Sequence, residues 1–261
     1  MISSESNAQI KEIVKLQKNA RERRKKGLFA AEGIKLVIES AEHGMLQQVY
    51  VSETAMRGIS EETRELFERY PVEIVADAVF KSVSETVTPQ GVLGLVRMPS
   101  YDLEEILKDK RRAFLLLDDL RDPGNLGTIM RTAEGADMSG VIMSRECVDL
   151  FNPKVVRSTM GAIFRVPFYY AEDLPGLIHN LKQRGIPVYG AMLQESVVYN
   201  EVDYRPGAAI VIGNEANGIS DAVAGQLSAR VSIPMAGSLE SLNAAVSAAV
   251  LMYEVARQKR K

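Results

Sequence analysis

The chain has 261 residues, 46% hydrophobic and 25% charged, with a formal net charge of −2. That balance is globular, and the length gives one large or two small domains with a core that needs no covalent staple. The single cysteine, Cys147, rules out an internal disulfide, and with no histidine near it in the sequence it reads as a small buried hydrophobe rather than a nucleophile. The two histidines, His43 and His179, stand without metal-ligand company, so no metal site is expected. No apolar run approaches the roughly 18 residues of a membrane helix, and the first stretch has no leader-like apolar core. A soluble, cytoplasmic protein is expected, with no membrane partner.

Net charge is silent about nucleic acid, but its distribution is not. "IKEIVKLQKNARERRKKG", residues 10–27, carries eight basic residues against two acidic ones. Lys11, Lys15, Lys18 and Lys25 recur at helical spacing, and Arg21, Arg23, Arg24 and Lys26 thicken the end. Ile10, Ile13, Val14 and Leu16 fill much of the rest, which predicts one amphipathic helix with a basic face. That face is either simply solvated or a phosphate-contacting stripe. Residues 28–99 then alternate helical and strand patterns. "GIKLVIESAEHG" predicts a helix, "LQQVYVS" a strand, "EETRELFERY" a helix, "VEIVA" a strand, "DAVFKSVSE" a helix and "GVLGLVRMP" a strand. This is an α/β module over residues 1–99. Residues 100–112 are polar and predict a linker with one short helix.

From Ala113 the pattern restarts as a second domain, 113–261. Strands are predicted at 114–119, 140–144, 166–170, 187–192, 208–213 and 229–234. Helices are predicted at 126–137, 153–162, 173–184, 220–227 and 241–258. "FLLLDD" and "AAIVIG" are continuously apolar, as strands covered on both faces must be, so the class is α/β with a parallel sheet. Ligands of such sheets sit beyond the carboxyl ends of the strands, which directs attention to the loops there.

After the first strand comes "RDPGNLGTIMRTAEG". Its glycines fall as G-x-x-G, not G-x-G-x-x-G, which argues against a dinucleotide cradle and a nicotinamide enzyme. Asn125 falls at the expected N-cap, and the local text leaves open whether it does more. Arg131 lies a turn and a half into the helix and is either an ion-pair partner of Glu134 or Asp137, or functional. After 208–213 comes "GNEANGIS", in which Gly213 permits close backbone approach, Asn214 and Asn217 suit turns, and Glu215 offers a carboxylate. After 229–234 comes "IPMAGSLESLNAAVSAAVLMYEVARQKRK", with Ser241 as the expected cap and a helix lined by alanines that lets another backbone come close.

The segments "DPGNLGTIMRTAEGADMSG", "VIGNEANGIS" and "SIPMAGSLESLNAAVSAAVLMYE", with "NPKVVRSTMGAIFRVPF" between, resemble in order and spacing the SpoU/TrmH family of RNA 2′-O-ribose methyltransferases, of the SPOUT superfamily. The first hundred residues, notably "AEGIKLVIES" behind the basic helix, resemble the L30e-like substrate-binding domain of one branch. Ala216 stands where relatives commonly carry Gly, and Ala244–Ala245 where a Val–Ser pair is common; both bear on loop shape and packing rather than on the polar groups of the chemistry.

The resemblance implies a deep trefoil knot in the C-terminal domain, with the last helix passing through the loop around 211–220. It implies S-adenosylmethionine as cofactor, with Ala191, Met192, Gly213, Asn214, Ile233, Met235 and Leu242 as contacts. It also implies catalytic-site roles for Asn125, Arg131, Glu215 and Asn243, no metal, and a homodimer. The implied reaction is methylation of a ribose 2′-OH in RNA, with 23S ribosomal RNA as the expected substrate. The alternatives are a transfer RNA substrate, or a catalytically silent RNA-binding or ribosome-assembly protein. Under the RNA reading, Lys11, Lys15, Lys18, Arg21, Arg23, Arg24, Lys25 and Lys26 become phosphate contacts.

Overall fold

A computed structural model describes residues 1–260 of the chain. The first elements are α1 (Ala8–Lys18), α2 (Ala20–Lys26), β1 (Leu28–Glu32), α3 (Ile34–Glu42), β2 (Leu46–Ser52), α4 (Glu53–Gly58), α5 (Glu61–Phe67), β3 (Val72–Val75), α6 (Asp77–Val83) and β4 (Val92–Arg97). Then follow α7 (Leu103–Leu107), β5 (Ala113–Leu117), α8 (Pro123–Gly135), β6 (Gly140–Ser144), α9 (Pro153–Ser158), β7 (Phe168–Ala171), α10 (Leu174–Gln183), β8 (Val188–Ala191) and β9 (Val197–Val198). The last are β10 (Ala208–Ile212), α11 (Asp221–Ala224), β11 (Ala229–Ser232) and α12 (Ala244–Lys259). These elements form two compact units, one of residues 1–99 with 149–164, the other of 100–148 with 165–261.

In the first unit the strand order is β1-β4-β2-β3, with β4 antiparallel to both neighbours and β3 parallel to β2. Ile10, Ile13 and Leu16 of α1 pack with Val79 and Phe80 of α6 against Leu93 and Leu95 of β4. The single basic helix expected over 10–27 is in fact two. Asn19 sits extended at φ −128°, and its Oδ1 accepts from the N–H groups of Arg21 (2.9 Å) and Glu22 (3.3 Å), capping a new helix. The break turns Arg23 inward, where it is 3% exposed. Its guanidinium donates to Asp149 Oδ2 from Nε (2.9 Å) and Nη2 (2.5 Å), and from Nη1 to the carbonyls of Leu16 (2.6 Å) and Gln17 (2.8 Å).

Asp149 belongs to the stretch 149–164, which corrects the expected domain 113–261: this piece packs in the first unit. Phe151 and Phe164 lie against Phe29 of β1, with ring centroids 5.1 and 6.3 Å away. The helix expected over 153–162 stops at Ser158, because Met160 and Gly161 take φ of +51° and +86° and reverse the chain.

The second unit holds a seven-stranded sheet, order β7-β6-β5-β10-β8-β11-β9, parallel throughout. Its central strands AFLLL, GVIMS and AAIVI are buried at every position, the pattern of strands covered on both faces. The region 100–112 is not a free linker, since α7 places Ile106 and Leu107 in this unit's core beside Phe114 and Leu116. Cys147 is buried, accepting from the Leu120 N–H (3.3 Å) and donating to the Leu117 carbonyl (3.4 Å); burial pushes its thiol pKa up. No helix among the described residues is long and apolar enough to cross a membrane.

Register decides where the loops meet. Leu117 of β5 pairs with Ile212 of β10, Val211 of β10 with Gly190 of β8, and Ala191 of β8 with Val231 of β11. The four strands therefore end level, and the stretches after 117, 191, 212 and 232 emerge side by side at their carboxyl ends. Helix α12 returns to pack on α8 and β10, burying Ala245 and Ala248 where the approach is close.

Candidate functional site

At that end of the sheet three distant segments are tied by side chains. Glu215 accepts from the backbone N–H of Arg121 (3.1 Å) and Asp122 (2.9 Å) and from Asn125 Nδ2 (2.9 Å). Asn125 Oδ1 accepts from Asn243 Nδ2 (3.0 Å), and Asn243 Oδ1 accepts from the N–H groups of Ala245 (2.9 Å) and Val246 (3.3 Å). Each group in this chain orients the next, from the loop after β10, through the first turn of α8, to the first turn of α12. Burial raises the Glu215 pKa, but the hydrogen bonds from Asn125, Arg121 and Asp122 outweigh it and hold the carboxyl below its ordinary value.

The caps differ from the expected ones. Asp122, not Asn125, caps α8, its Oδ1 accepting from the Asn125 N–H at 2.8 Å, with Pro123 at the first helical position. Asn243, not Ser241, caps α12. Freed from capping its own helix, Asn125 is 9% exposed and spends its amide on the link between Glu215 and Asn243.

The loop 213–218 is a tight hairpin, closed by hydrogen bonds from Asn214 N to Gly218 O and from Gly218 N to Asn214 O, both 2.9 Å. Asn214 Oδ1 accepts from Ala216 N (2.9 Å) and Asn217 N (3.0 Å), and its Nδ2 donates to Asp119 O (2.8 Å). A Cβ on Gly213 would lie closer than 3.0 Å to backbone atoms of Gly218 and Ile219, so only glycine fits. On the far side of the hairpin, Asp118 Oδ2 receives the Ser220 N–H at 2.8 Å.

Beside this hairpin lies a cavity of about 330 Å³. Of the residues expected to contact a cofactor, Ala191, Met192, Ile233, Met235 and Leu242 line it. Gly213 and Asn214 do not; they build the hairpin whose Asn217, Gly218 and Ile219 form one wall. The Ile219 wall was not legible in the sequence, because one apolar residue after a polar turn reads the same whether it lines a cavity or fills a core. Glu240, also missed, is the one ionisable side chain among the lining residues.

Arg131 does not join the Asn125 cluster. Six residues further along α8, it lies about 120° around the helix axis, on the exposed face. Neither candidate ion pair forms: Glu134 pairs with Arg165 at 2.7 Å and Asp137 with Arg111, and the Arg131 guanidinium has no partner among the described residues. In the first unit, Lys11, Lys15, Lys18, Arg21, Arg24, Lys25 and Lys26 are exposed, Lys26 in a pair with Glu12. Arg23 is removed from that stripe by its burial against Asp149.

A parallel sheet with a mostly apolar cavity and a polar cluster at its strand ends defines an α/β protein built to bind a small molecule beside a reactive centre. The profile of the SpoU rRNA Methylase family matches residues 112–253, and that of the MRM3-like substrate binding domain matches residues 7–94. The chain belongs to the SpoU rRNA methylase family. A Bacillus subtilis protein, 23S rRNA (guanosine(2553)-2′-O)-methyltransferase RlmP, is 34% identical over 258 residues, covering 97% of this chain and 98% of that one. A solved RNA 2′-O ribose methyltransferase superposes with a TM-score of 0.84 at 32% identity, covering 100% of this chain and 99% of that one. The SpoU methyltransferase AviRb from Streptomyces viridochromogenes, solved in complex with AdoMet, gives a TM-score of 0.88 at 29% identity, covering 98% and 99%.

Proposed function

We propose that the protein transfers a methyl group from S-adenosylmethionine to a ribose 2′-OH of 23S ribosomal RNA. The observation that carries this reading is the hydrogen-bonded chain Glu215–Asn125–Asn243, which joins three segments, two of which also line the cavity through Asn217, Gly218, Ile219 and Leu242. The cavity fits the cofactor in size and character: about 330 Å³ suits a small ligand, and Met192, Ile219, Ile233 and Leu242 offer apolar walls for an adenine ring. When bound there, S-adenosylmethionine supplies a methyl group already activated on a sulfonium.

The protein's own task is then to position the ribose oxygen in line and to ease loss of its proton. Asn125, fixed from both sides, holds the loop beneath the acceptor. Glu215 and Asn243 keep that loop and the start of α12 in register. Arg131 serves by binding the neighbouring phosphate and stabilising the developing alkoxide rather than by taking the proton, since a guanidinium offers five N–H donors and no acceptor. Helix α8 packs on α12, with Tyr253 against Gly135 one turn beyond Arg131, and Tyr253 and Val246 of α12 are exposed; we assign this side to a two-fold homodimer that carries Arg131 to the partner's cavity. Threading of α12 through the 211–220 region belongs to the same reading; the alanines on its buried side support it. The exposed lysines and arginines of α1 and α2 supply sequence-independent phosphate contacts.

The test is transfer of labelled methyl to deproteinised 23S ribosomal RNA, read as alkali-resistant dinucleotides that mark 2′-O-methylation. Wild-type protein should produce them. Arg131→Ala should lose turnover by several orders of magnitude while keeping its affinity for S-adenosylmethionine. Transfer RNA as the sole acceptor, or no transfer with cofactor bound, would overturn the assignment.

A further inference from the structure

The second unit has another cavity, at the opposite end of its sheet. It measures about 400 Å³ and is lined by Ala113 at the start of β5 and by Val255, Ala256, Gln258, Lys259 and Arg260 of the C-terminal helix region. Ser247 lines the first cavity near the beginning of α12, and Lys259 lines this one at its end. Twelve residues of helix at 1.5 Å each put the two on the order of 18 Å apart.

Its walls are cationic. Lys110, Arg111, Arg205, Lys259 and Arg260 face it, against a single carboxylate, Asp137. Asp109 and Asp203 stand behind and pair with Arg111 (2.7 Å) and Arg205 (2.8 Å). Counting all three acids against the five bases still leaves a surplus of two positive charges, and Arg112 beside them adds a third. Lys110 and Arg260 have no side-chain partner among the described residues. Among the described residues Lys259 donates to the carbonyls of Arg111 (2.6 Å) and Arg205 (3.4 Å) and pairs with no carboxylate. Burial and the nearby charge of Arg112 lower its pKa, a stress that a bound anion would relieve. A surplus of cations over carboxylates around a concave surface is the electrostatic footprint of a phosphate-binding site.

We propose that this cleft is a second RNA-phosphate site, which grips the substrate backbone away from the reacting ribose. The inference rests on the RNA-methylating reading above. Taking the roughly 3.4 Å rise of one DNA strand as a guide to stacked nucleotides, a separation near 18 Å corresponds to about five nucleotides or more. The cleft therefore fixes the direction in which the RNA leaves the site, and adds affinity without reading sequence.

The experiment is filter binding of deproteinised 23S ribosomal RNA across about 50 to 200 mM salt, with wild-type protein and the double variant Lys110→Glu/Arg260→Glu. S-adenosylmethionine titration by calorimetry accompanies it. Loss of two phosphate contacts should flatten the log–log salt slope by about 1.4 to 1.8 and weaken binding at least about tenfold near physiological salt. Cofactor affinity should not change, and Lys110→Arg/Arg260→Lys should bind as wild type. Unchanged RNA affinity, or weaker binding with the same salt slope, overturns the proposal, because an unchanged slope means that no phosphate contact was lost. Wild-type protein that binds cofactor but no RNA would instead overturn the RNA reading itself.

Discussion

Replacing Gly213 by alanine tests whether the hairpin 213–218 shapes the cavity. The added Cβ would fall closer than 3.0 Å to the Gly218 carbonyl carbon and oxygen and to Ile219 N, all backbone atoms that cannot rotate aside. Ordinary contact needs about 3.5 Å or more, so the hairpin must move by on the order of 1 Å. That displacement breaks the two hydrogen bonds between Asn214 and Gly218, each 2.9 Å, at about 1 kcal/mol apiece. Overpacking adds about 1–3 kcal/mol, for a total near 3–5 kcal/mol. For a unit of this size that is a fall in Tm on the order of 10 °C. The shift also moves Asn217, Gly218 and Ile219, so calorimetric affinity for S-adenosylmethionine should drop at least about tenfold. A Gly213→Ala protein with wild-type Tm and affinity would refute this account of the hairpin.

Three further outcomes follow from other sites. Glu215 has its pKa held below the ordinary value, so its stabilisation of the 121–125 loop is full above about pH 4.5 and fades as pH falls through the lowered value; a cofactor-affinity profile that weakens over that acid range in the wild type and not in Glu215→Gln would show it, and identical profiles would contradict it. Asp149→Ala strands the Arg23 guanidinium, 3% exposed, with only two carbonyl partners. Because Asp149 is itself partly solvated, the loss should be about 3 kcal/mol in urea denaturation of the first unit, and a loss under about 1 kcal/mol would mean the pair is not structural. Cys147, buried and with its thiol pKa pushed up, should resist alkylation in native protein near pH 8 and react at once in denaturant, whereas rapid native labelling would place it elsewhere.

Sequence reasoning reached the parallel sheet because strands such as AAIVI are apolar at every position, a pattern that only double-sided burial explains. Glu215 was a candidate from its place after an apolar strand, whereas Asn243, and any role for Asn125 beyond a helix cap, came from the family resemblance rather than from periodicity. Two helix starts were legible after all: Asp-Pro before α8 and Asn19-x-x-Glu22 before α2 are both helix-start signals, masked by Asn125 three residues on and by the density of basic residues. The burial of Arg23 was not legible, because its partner Asp149 lies 126 residues away. Nor was the membership of 149–164 in the first unit, because periodicity tells that a segment is helical and not what it packs against. The place of Arg131 was missed for a related reason. Order along α8 is readable, but which face meets the cluster depends on how α8 lies against α12.

The central claim is that this cluster and cavity place a methyl group on one ribose of ribosomal RNA. The most direct measurement is nucleotide-resolution mapping of 2′-O-methyl marks in RNA from cells with the gene, without it, and complemented with wild type or Asn243→Ala. The account predicts one mark in 23S ribosomal RNA that disappears on deletion, returns with the wild-type gene and does not return with the variant. An unchanged set of 2′-O-methyl marks on deletion would contradict it.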